Sequence, residues 1–219
     1  MDSQSPLPAQ RPRLHRLARL LLRPLFLLYF RMRSEGLANL PRDGRFLIAP
    51  NHVSMLDWAF ITYFLPRVVR FLVDHSFYDV PVLGLGLRVN GAIPIRTGQP
   101  DARALRLAHA VLAADEPLIV FPEGAISRTG RPLPAQPGII SLAARTGTPI
   151  VPVAVRGAFE AFPRWRRIPR PGRVTVVFGR PLPPPPPTDD RDARRAQAAG
   201  LMAHIAELLD GREPAAMPW

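Results

Sequence analysis

Apolar residues in this chain gather into short runs separated by polar turns, and the runs are of two kinds. Six are compact and rich in Val, Ile and Phe: "RFLIAP" at 45–50, "VVRFLVD" at 68–74, "GAIPIR" at 91–96, "PLIVFPE" at 117–123, "PIVPVAVR" at 149–156 and "RVTVVFG" at 173–179. Their length and branched side chains predict strands. Between them, stretches at 55–65, 80–89, 101–113 and 138–146 have the spacing of helices. This alternation predicts an α/β fold, a mostly parallel mixed sheet covered by helices, in which ligands sit beyond the carboxyl ends of strands. The prolines of "PIVPVAVR" predict an edge or irregular strand.

The two ends of the chain have other patterns. From 17 to 30 the chain is apolar but broken by Arg19, Arg23 and Pro24, short of the roughly 18 uncharged residues that a spanning helix needs. No small-residue cleavage site comes after it, so a signal peptide is not predicted. Seven arginines and no acid lie between Ser3 and Ser34, interleaved with Leu, Phe and Tyr. That pattern fits a helix lying in a membrane interface, and equally a core helix with a solvated basic face. Near the other end, "PLPPPPP" at 181–187 predicts a stiff polyproline spacer that holds the C-terminal residues away from the sheet. Thr188 or Asp189 then caps a helix running to Leu209 and closed by Gly211, a terminal docking helix. The expected plan is a basic apolar segment at 1–34, an α/β domain at 35–180, a spacer at 181–187, and a helix with tail at 188–219.

Composition narrows the chemistry. The chain has 219 residues, of which 47% are apolar, enough for one real core. All 29 basic side chains are arginine, against 17 acids, giving a net charge of +12. Such a chain seeks anionic partners, and both nucleic acid and membrane surfaces fit. With no cysteine and no lysine, disulfides, thiolate nucleophiles, Schiff bases, Ser-Lys pairs and a P-loop are all excluded. His15, His52, His75, His109 and His204 show no paired metal-ligand spacing, so no metal site is expected. "GLGLRVNG" at 84–91 has its glycines at the wrong offsets for a dinucleotide fingerprint, and no G-x-S-x-G elbow occurs.

Four short stretches remain as candidates. In "NHVSMLDW" at 51–58, His52 and Asp57 are five residues apart, which on a regular helix turns them about 140° from each other. Ser54 to Asp57, however, spells the S-x-x-D capping box, with Ser54 at the N-cap and Asp57 in the first turn. His52 then precedes the helix and can fold back onto Asp57. Asp57 is the one ionised group in "MLDWAFITYFL" and would be costly there without a partner. A plain capping role for Asp57, with His52 an incidental loop residue, stays open. In "IVFPEGAISRTG" at 119–130, Pro122 ends a strand and puts Glu123 and Gly124 at a strand tip, with Arg128 able to fork onto a phosphate. In "GAIPIR", Arg96 comes directly after a strand, toward the same edge. "PIVPVAVRG" reads as scaffolding.

In order and spacing, "NHVSMLD", "GAIPIR", "FPEG" and "VPVAV" resemble the four blocks of the glycerophosphate and lysophospholipid acyltransferases, typified by 1-acylglycerol-3-phosphate acyltransferase. The match spans about 35–157, and the combination is far more specific than any one block. It implies that His52 is a general base on the free hydroxyl of a lysophospholipid, oriented by Asp57, with direct attack on an acyl thioester and no acyl-enzyme. It places Glu123 and Gly124 at the acceptor site and gives Arg96 and Arg128 the acceptor phosphate. The implied donor is acyl-CoA or acyl carrier protein, a co-substrate rather than a cofactor. The implied partners are a lysophospholipid acceptor and an anionic membrane surface at the cytoplasmic face of the cell membrane, not nucleic acid. One departure bears on the acceptor: where the family commonly reads E-G-T-R, this chain has Ala125 and Ile126 after Glu123 and Gly124. A lyso-lipid without a bare phosphomonoester, such as a lyso-aminolipid, would need fewer arginines.

Two other readings use the same residues. A non-catalytic module binding nucleic acid or membrane would rest on the net charge and on "RGAFEAFPRWRRIPRPGR" at 156–173, which has six arginines interleaved with Phe159, Phe162 and Trp165. That stretch also fits binding of headgroups or of the phosphates of coenzyme A. An esterase or thioesterase would use the same His-Asp pair to deliver water.

Overall fold

The computed structural model describes residues 7–96, 101–214 and 219; the first six residues of the N-terminal segment and residues 215–218 of the tail lie outside the described residues. Seven strands form one sheet: β1 (Arg33–Glu35), β2 (Leu47–Pro50), β3 (Arg70–Asp74), β4 (Ile93–Ile95), β5 (Leu118–Ile119), β6 (Ile150–Arg156) and β7 (Thr175–Phe178). Their spatial order is β1-β7-β6-β2-β5-β3-β4. All neighbours are parallel except β6 and β7. The helices are α1 (Pro12–Pro24), α2 (Asp57–Phe64), α3 (Pro81–Asn90), α4 (Ala102–Ala113), α5 (Gly138–Thr146), the short α6 (Ala158–Ala161) and α7 (Arg191–Leu209).

Successive side chains of a strand point to opposite faces, so the buried runs divide between two cores. From β2 and β6, Ile48, Val151, Val153 and Val155 join Phe26, Phe30, Phe60, Ile61 and Leu87 on the face covered by α1, α2 and α3. Leu47, Ala49 and Ile150 face the other way, onto Leu107, Leu112, Ile140, Leu201 and Ile205 of α4, α5 and α7. Burial on both faces is why β2 and β6 read as continuous apolar runs rather than alternating ones.

Three expectations shift. β6 is not an edge strand: it lies between β7 and β2. Its Pro152 is tolerated because its nitrogen faces the side where β7 has ended at Phe178: Gly179 N still donates to Pro152 O at 2.9 Å, and two-way pairing resumes at Leu182, opposite Ile150. β1 is an unforeseen edge strand, three polar residues paired with β7, and it begins at Arg33, inside the segment expected to precede the domain. The proline run does not displace α7, whose Leu201, Ile205 and Leu208 are buried. At the N-terminal end, Pro24 lacks an N–H and α1 widens there into a π-helical turn, Leu25–Tyr29. Among the described residues, no helix is long and apolar enough to cross a membrane.

Candidate active site

The parallel strands β2, β5, β3 and β4 end on one edge, and the chemistry-bearing residues gather there. β2 ends at Pro50 and leads into Asn51, whose buried side-chain amide copies a strand rung. Its Oδ1 accepts from Val155 N at 2.7 Å and its Nδ2 donates to Val155 O at 3.3 Å. That clamp fixes where the next residue, His52, leaves the sheet.

His52 Nδ1 lies 3.0 Å from Asp57 Oδ2, close enough for the ring to donate its Nδ1–H to the carboxylate. The same oxygen accepts from Val53 N and Ser54 N, each at 2.8 Å. Asp57 is fully buried in the first turn of α2, and its other oxygen has no hydrogen-bond partner. The capping box is therefore half formed. Its carboxylate arm closes on Ser54 N, but Leu56, not Ser54, is the N-cap residue. Ser54 Oγ instead donates to Phe162 O at 2.7 Å and accepts from Leu56 N at 3.2 Å, which inserts one tight turn before the helix. Phe121 stacks on the imidazole, ring centres 3.9 Å apart and 24° between planes. With Nδ1 committed to Asp57, Nε2 is the nitrogen available to a substrate.

Both backbone groups of His52 are held by the loop after β5. His52 N donates to Glu123 Oε1 at 2.8 Å, and Ser127 N donates to His52 O at 2.8 Å. Glu123 Oε2 accepts from Leu133 N at 2.7 Å. One carboxylate thus ties the base's backbone to the far side of the loop. Burial pushes the Glu123 carboxyl up to about 7, opposed by its two N–H donors and reinforced by the nearby Asp57 charge. Gly124 turns the loop in the left-handed region, φ +67°, where a side chain would be strained.

The structure thus brings His52, Asp57, Glu123 and Gly124 together, and Arg128 is exposed on the same loop. In the departure from the family pattern, Ala125 is exposed and Ile126 is buried, so neither position offers a cation. Arg96 is set apart. It lines a crevice of about 570 Å³ with His75, Pro94, Ile95, Asp101 and Arg103 beyond the edge strand β4. β4 is three strands from β2, about 14 Å at ordinary strand spacing. Asn51, Phe121 and Ser127 were not foreseen as site residues. The first two lie inside the recognised blocks, whereas Ser127 has no signal in the sequence.

The sheet carries a His-Asp pair at its carboxyl edge, and a model of the family described as Acyltransferase matches residues 31–156. The chain belongs to that family. It is 27% identical over 158 residues to a chloroplastic 1-acyl-sn-glycerol-3-phosphate acyltransferase of Brassica napus, covering 70% of this chain and 46% of that one. A 1-acyl-sn-glycerol-3-phosphate acyltransferase from Chlamydomonas reinhardtii is 28% identical over 179 residues, 79% of this chain and 54% of its own. The chain therefore spans about half the length of these relatives. The fold matches a crystal structure of the 1-acyl-sn-glycerophosphate acyltransferase from Thermotoga maritima with a TM-score of 0.67 and 22% identity, covering 90% of this chain and 82% of that one.

Proposed function

We propose that this chain moves a fatty acyl group from an acyl thioester to the free hydroxyl of a lysophospholipid at a membrane surface. The first-choice acceptor is 1-acylglycerol-3-phosphate, giving phosphatidic acid. The observation that carries this reading is the His52 Nδ1 to Asp57 Oδ2 bond at the carboxyl edge of the sheet, which leaves Nε2 to meet a substrate. The names of the relatives support the acceptor.

In this reading His52 Nε2 takes the proton of the lysolipid hydroxyl as its oxygen bonds to the thioester carbonyl carbon. Asp57 keeps Nδ1 protonated and stabilises the imidazolium that forms. As the tetrahedral centre collapses, the carbon–sulfur bond breaks and His52 returns the proton to the leaving thiolate. Base assistance supplies about 10²- to 10⁴-fold, and positioning supplies much of the rest. Glu123 and Gly124 shape the acceptor side of the turn, Arg128 on the same loop attracts the acceptor phosphate, and Arg96, three strands along the same edge, adds only a longer-range attraction. Acyl-CoA and acyl carrier protein are both suitable donors. The exposed leucines of α1, with Leu20 at 64% and Leu21 at 68% exposure beside a row of arginines, suit an anionic membrane at the cytoplasmic face.

Purified protein with labelled acyl-CoA or acyl carrier protein and a panel of lysolipids tests this. Label appearing in phosphatidic acid is the expected result. A second reading, acylation of a different lyso-lipid such as a lyso-aminolipid, is favoured by Ala125 and Ile126 in place of the family's Thr-Arg. Label in that product alone would move the acceptor and keep the chemistry. Thioester loss independent of acceptor would replace transfer with hydrolysis.

A further inference from the structure

The β6–β7 connection is an excursion out of an antiparallel pair. Arg156 still pairs with Thr175, and between them the chain leaves and returns. Its base is closed: Gly157 sits in the left-handed region, and a Cβ there would collide with the carbonyl of Arg173. From there outward the sequence is "PRWRRIPRPGR", five arginines, and no acid occurs between Glu160 and Asp189. Trp165 is 58% exposed and Ile168 is 75% exposed. Large apolar side chains set among cations are unfavourable in water alone and suit a surface that is apolar within and anionic at its rim.

Two sets of hydrogen bonds fix where this loop stands. Ser54 Oγ, two residues from His52, donates to Phe162 O at 2.7 Å. At the other end, Tyr29 Oη donates to Pro169 O at 3.0 Å and Gly172 N donates to Tyr29 O at 3.1 Å. Tyr29 comes directly after Leu28, which is 76% exposed at the end of the helical N-terminal segment. The loop is therefore anchored at one end to Ser54, two residues from His52, and at the other to Tyr29, next to the exposed Leu28.

We propose that the 163–173 loop is a second membrane contact, in which Trp165 and Ile168 enter the headgroup region of an anionic bilayer while the surrounding arginines bind its phosphates. Together with the leucines of α1 it holds the His52 turn against the lipid surface. This rests on the lysolipid reading for its effect on turnover, but not for binding itself. The arginines act as a distributed charge, each contributing about fivefold to partition into anionic membrane at low salt. The two apolar side chains together add about tenfold or more.

The test is sedimentation of the full chain with vesicles of phosphatidylcholine alone or mixed with phosphatidylglycerol. Trp165→Ala with Ile168→Ala should cut partition into mixed vesicles about tenfold. Arg164→Gln with Arg167→Gln should cut it about 25-fold in mixed vesicles and leave binding to phosphatidylcholine unchanged. Trp165 also packs on Phe159, so Ile168→Glu, altering a side chain that is mostly solvated, serves as the variant that spares the fold. Wild-type partition in Ile168→Glu and in the apolar double variant overturns the proposal. So does an arginine pair that loses binding to free coenzyme A or duplex DNA but not to vesicles. In turnover, the apolar variants should be slow on lysolipid presented in vesicles and normal on short-chain lysolipid dispersed as monomers. A wild type that acylates no lysolipid, with the partition losses intact, would sink the proposed function and leave this contact standing.

Discussion

The segments after β2 and after β4 share one sequence pattern. Each leaves the same edge of the sheet, and each carries a basic residue with an aspartate five positions on at the start of a helix: His52 with Asp57, Arg96 with Asp101. Their outcomes differ. Asp57 is fully buried and grips its partner's side chain, Nδ1 to Oδ2 at 3.0 Å. Asp101 is partly exposed and holds its partner's backbone, Arg96 N to Oδ2 at 3.1 Å, while capping α4 through Ala104 N at 2.9 Å. The cause is position in the sheet. β2 lies between β6 and β5, and the loops leaving those two strands cover the His52 turn through Phe162, Glu123 and Ser127, whereas β4 is the outermost strand on its side. Spacing makes a pair possible; neighbouring strands decide whether it is dry and fixed.

If that contrast holds for function, His52→Ala should lower acyl transfer about 10³-fold, within the usual range for a lost general base. Arg96→Ala should leave kcat near wild type, and steady-state kinetics on both variants would show it. Equal losses in kcat would break the comparison. Next in size is stability. Asp57→Ala strips the acceptor from three donors and should cost about 3–5 kcal/mol in denaturant unfolding. Asp101→Ala should cost about 1 kcal/mol, the usual loss for a cap.

Glu123→Gln tests the covering loop. An amide cannot accept from both His52 N and Leu133 N, so the loop should loosen by about 1–3 kcal/mol. The variant should also lose a pH dependence. The native carboxyl, pushed from 4.5 to about 7, binds its proton more tightly than the unfolded one. Its contribution to stability is therefore largest below 4.5 and declines as pH rises through about 7. Unfolding at pH 5 and pH 8 should show wild type losing ground to Glu123→Gln on the alkaline side; parallel curves would refute burial as the cause. Smallest is the effect on acceptor affinity. Arg96→Ala and Arg128→Ala should each raise KM for a phosphate-bearing acceptor about five- to tenfold at low salt, as expected for exposed charges.

Much of the fold was legible because the central strands are buried on both faces and carry uninterrupted branched apolar runs. Six strands and five long helices lay within a few residues of their expected places. β1 was not legible, since "RSE" has no apolar face and is a strand only because β7 offers it an edge. The prolines of β6 misled for a related reason. A proline in a strand argues for an edge, and nothing local shows that β7 stops short of Pro152. Of the site, the His-Asp pair and the Glu123 turn could be named from their blocks. Asn51, Phe121 and Ser127 could not be, because their partners are 104, 69 and 75 residues away in sequence.

The sequence alone determined the α/β alternation, the absence of thiol and amine nucleophiles, and an aspartate placed to begin a helix just after a histidine. These arise from local propensity and composition, which need no long-range contacts. Only the tertiary structure decided that Ser54 serves Phe162 rather than the helix start and that Glu123 holds the backbone of His52. It also decided that Arg96 stands apart and that an arginine-rich loop joins the site to the exposed leucines. Each of these depends on which strands become neighbours, because a hydrogen bond or a dry site forms only between groups that the sheet order brings within about 3 Å.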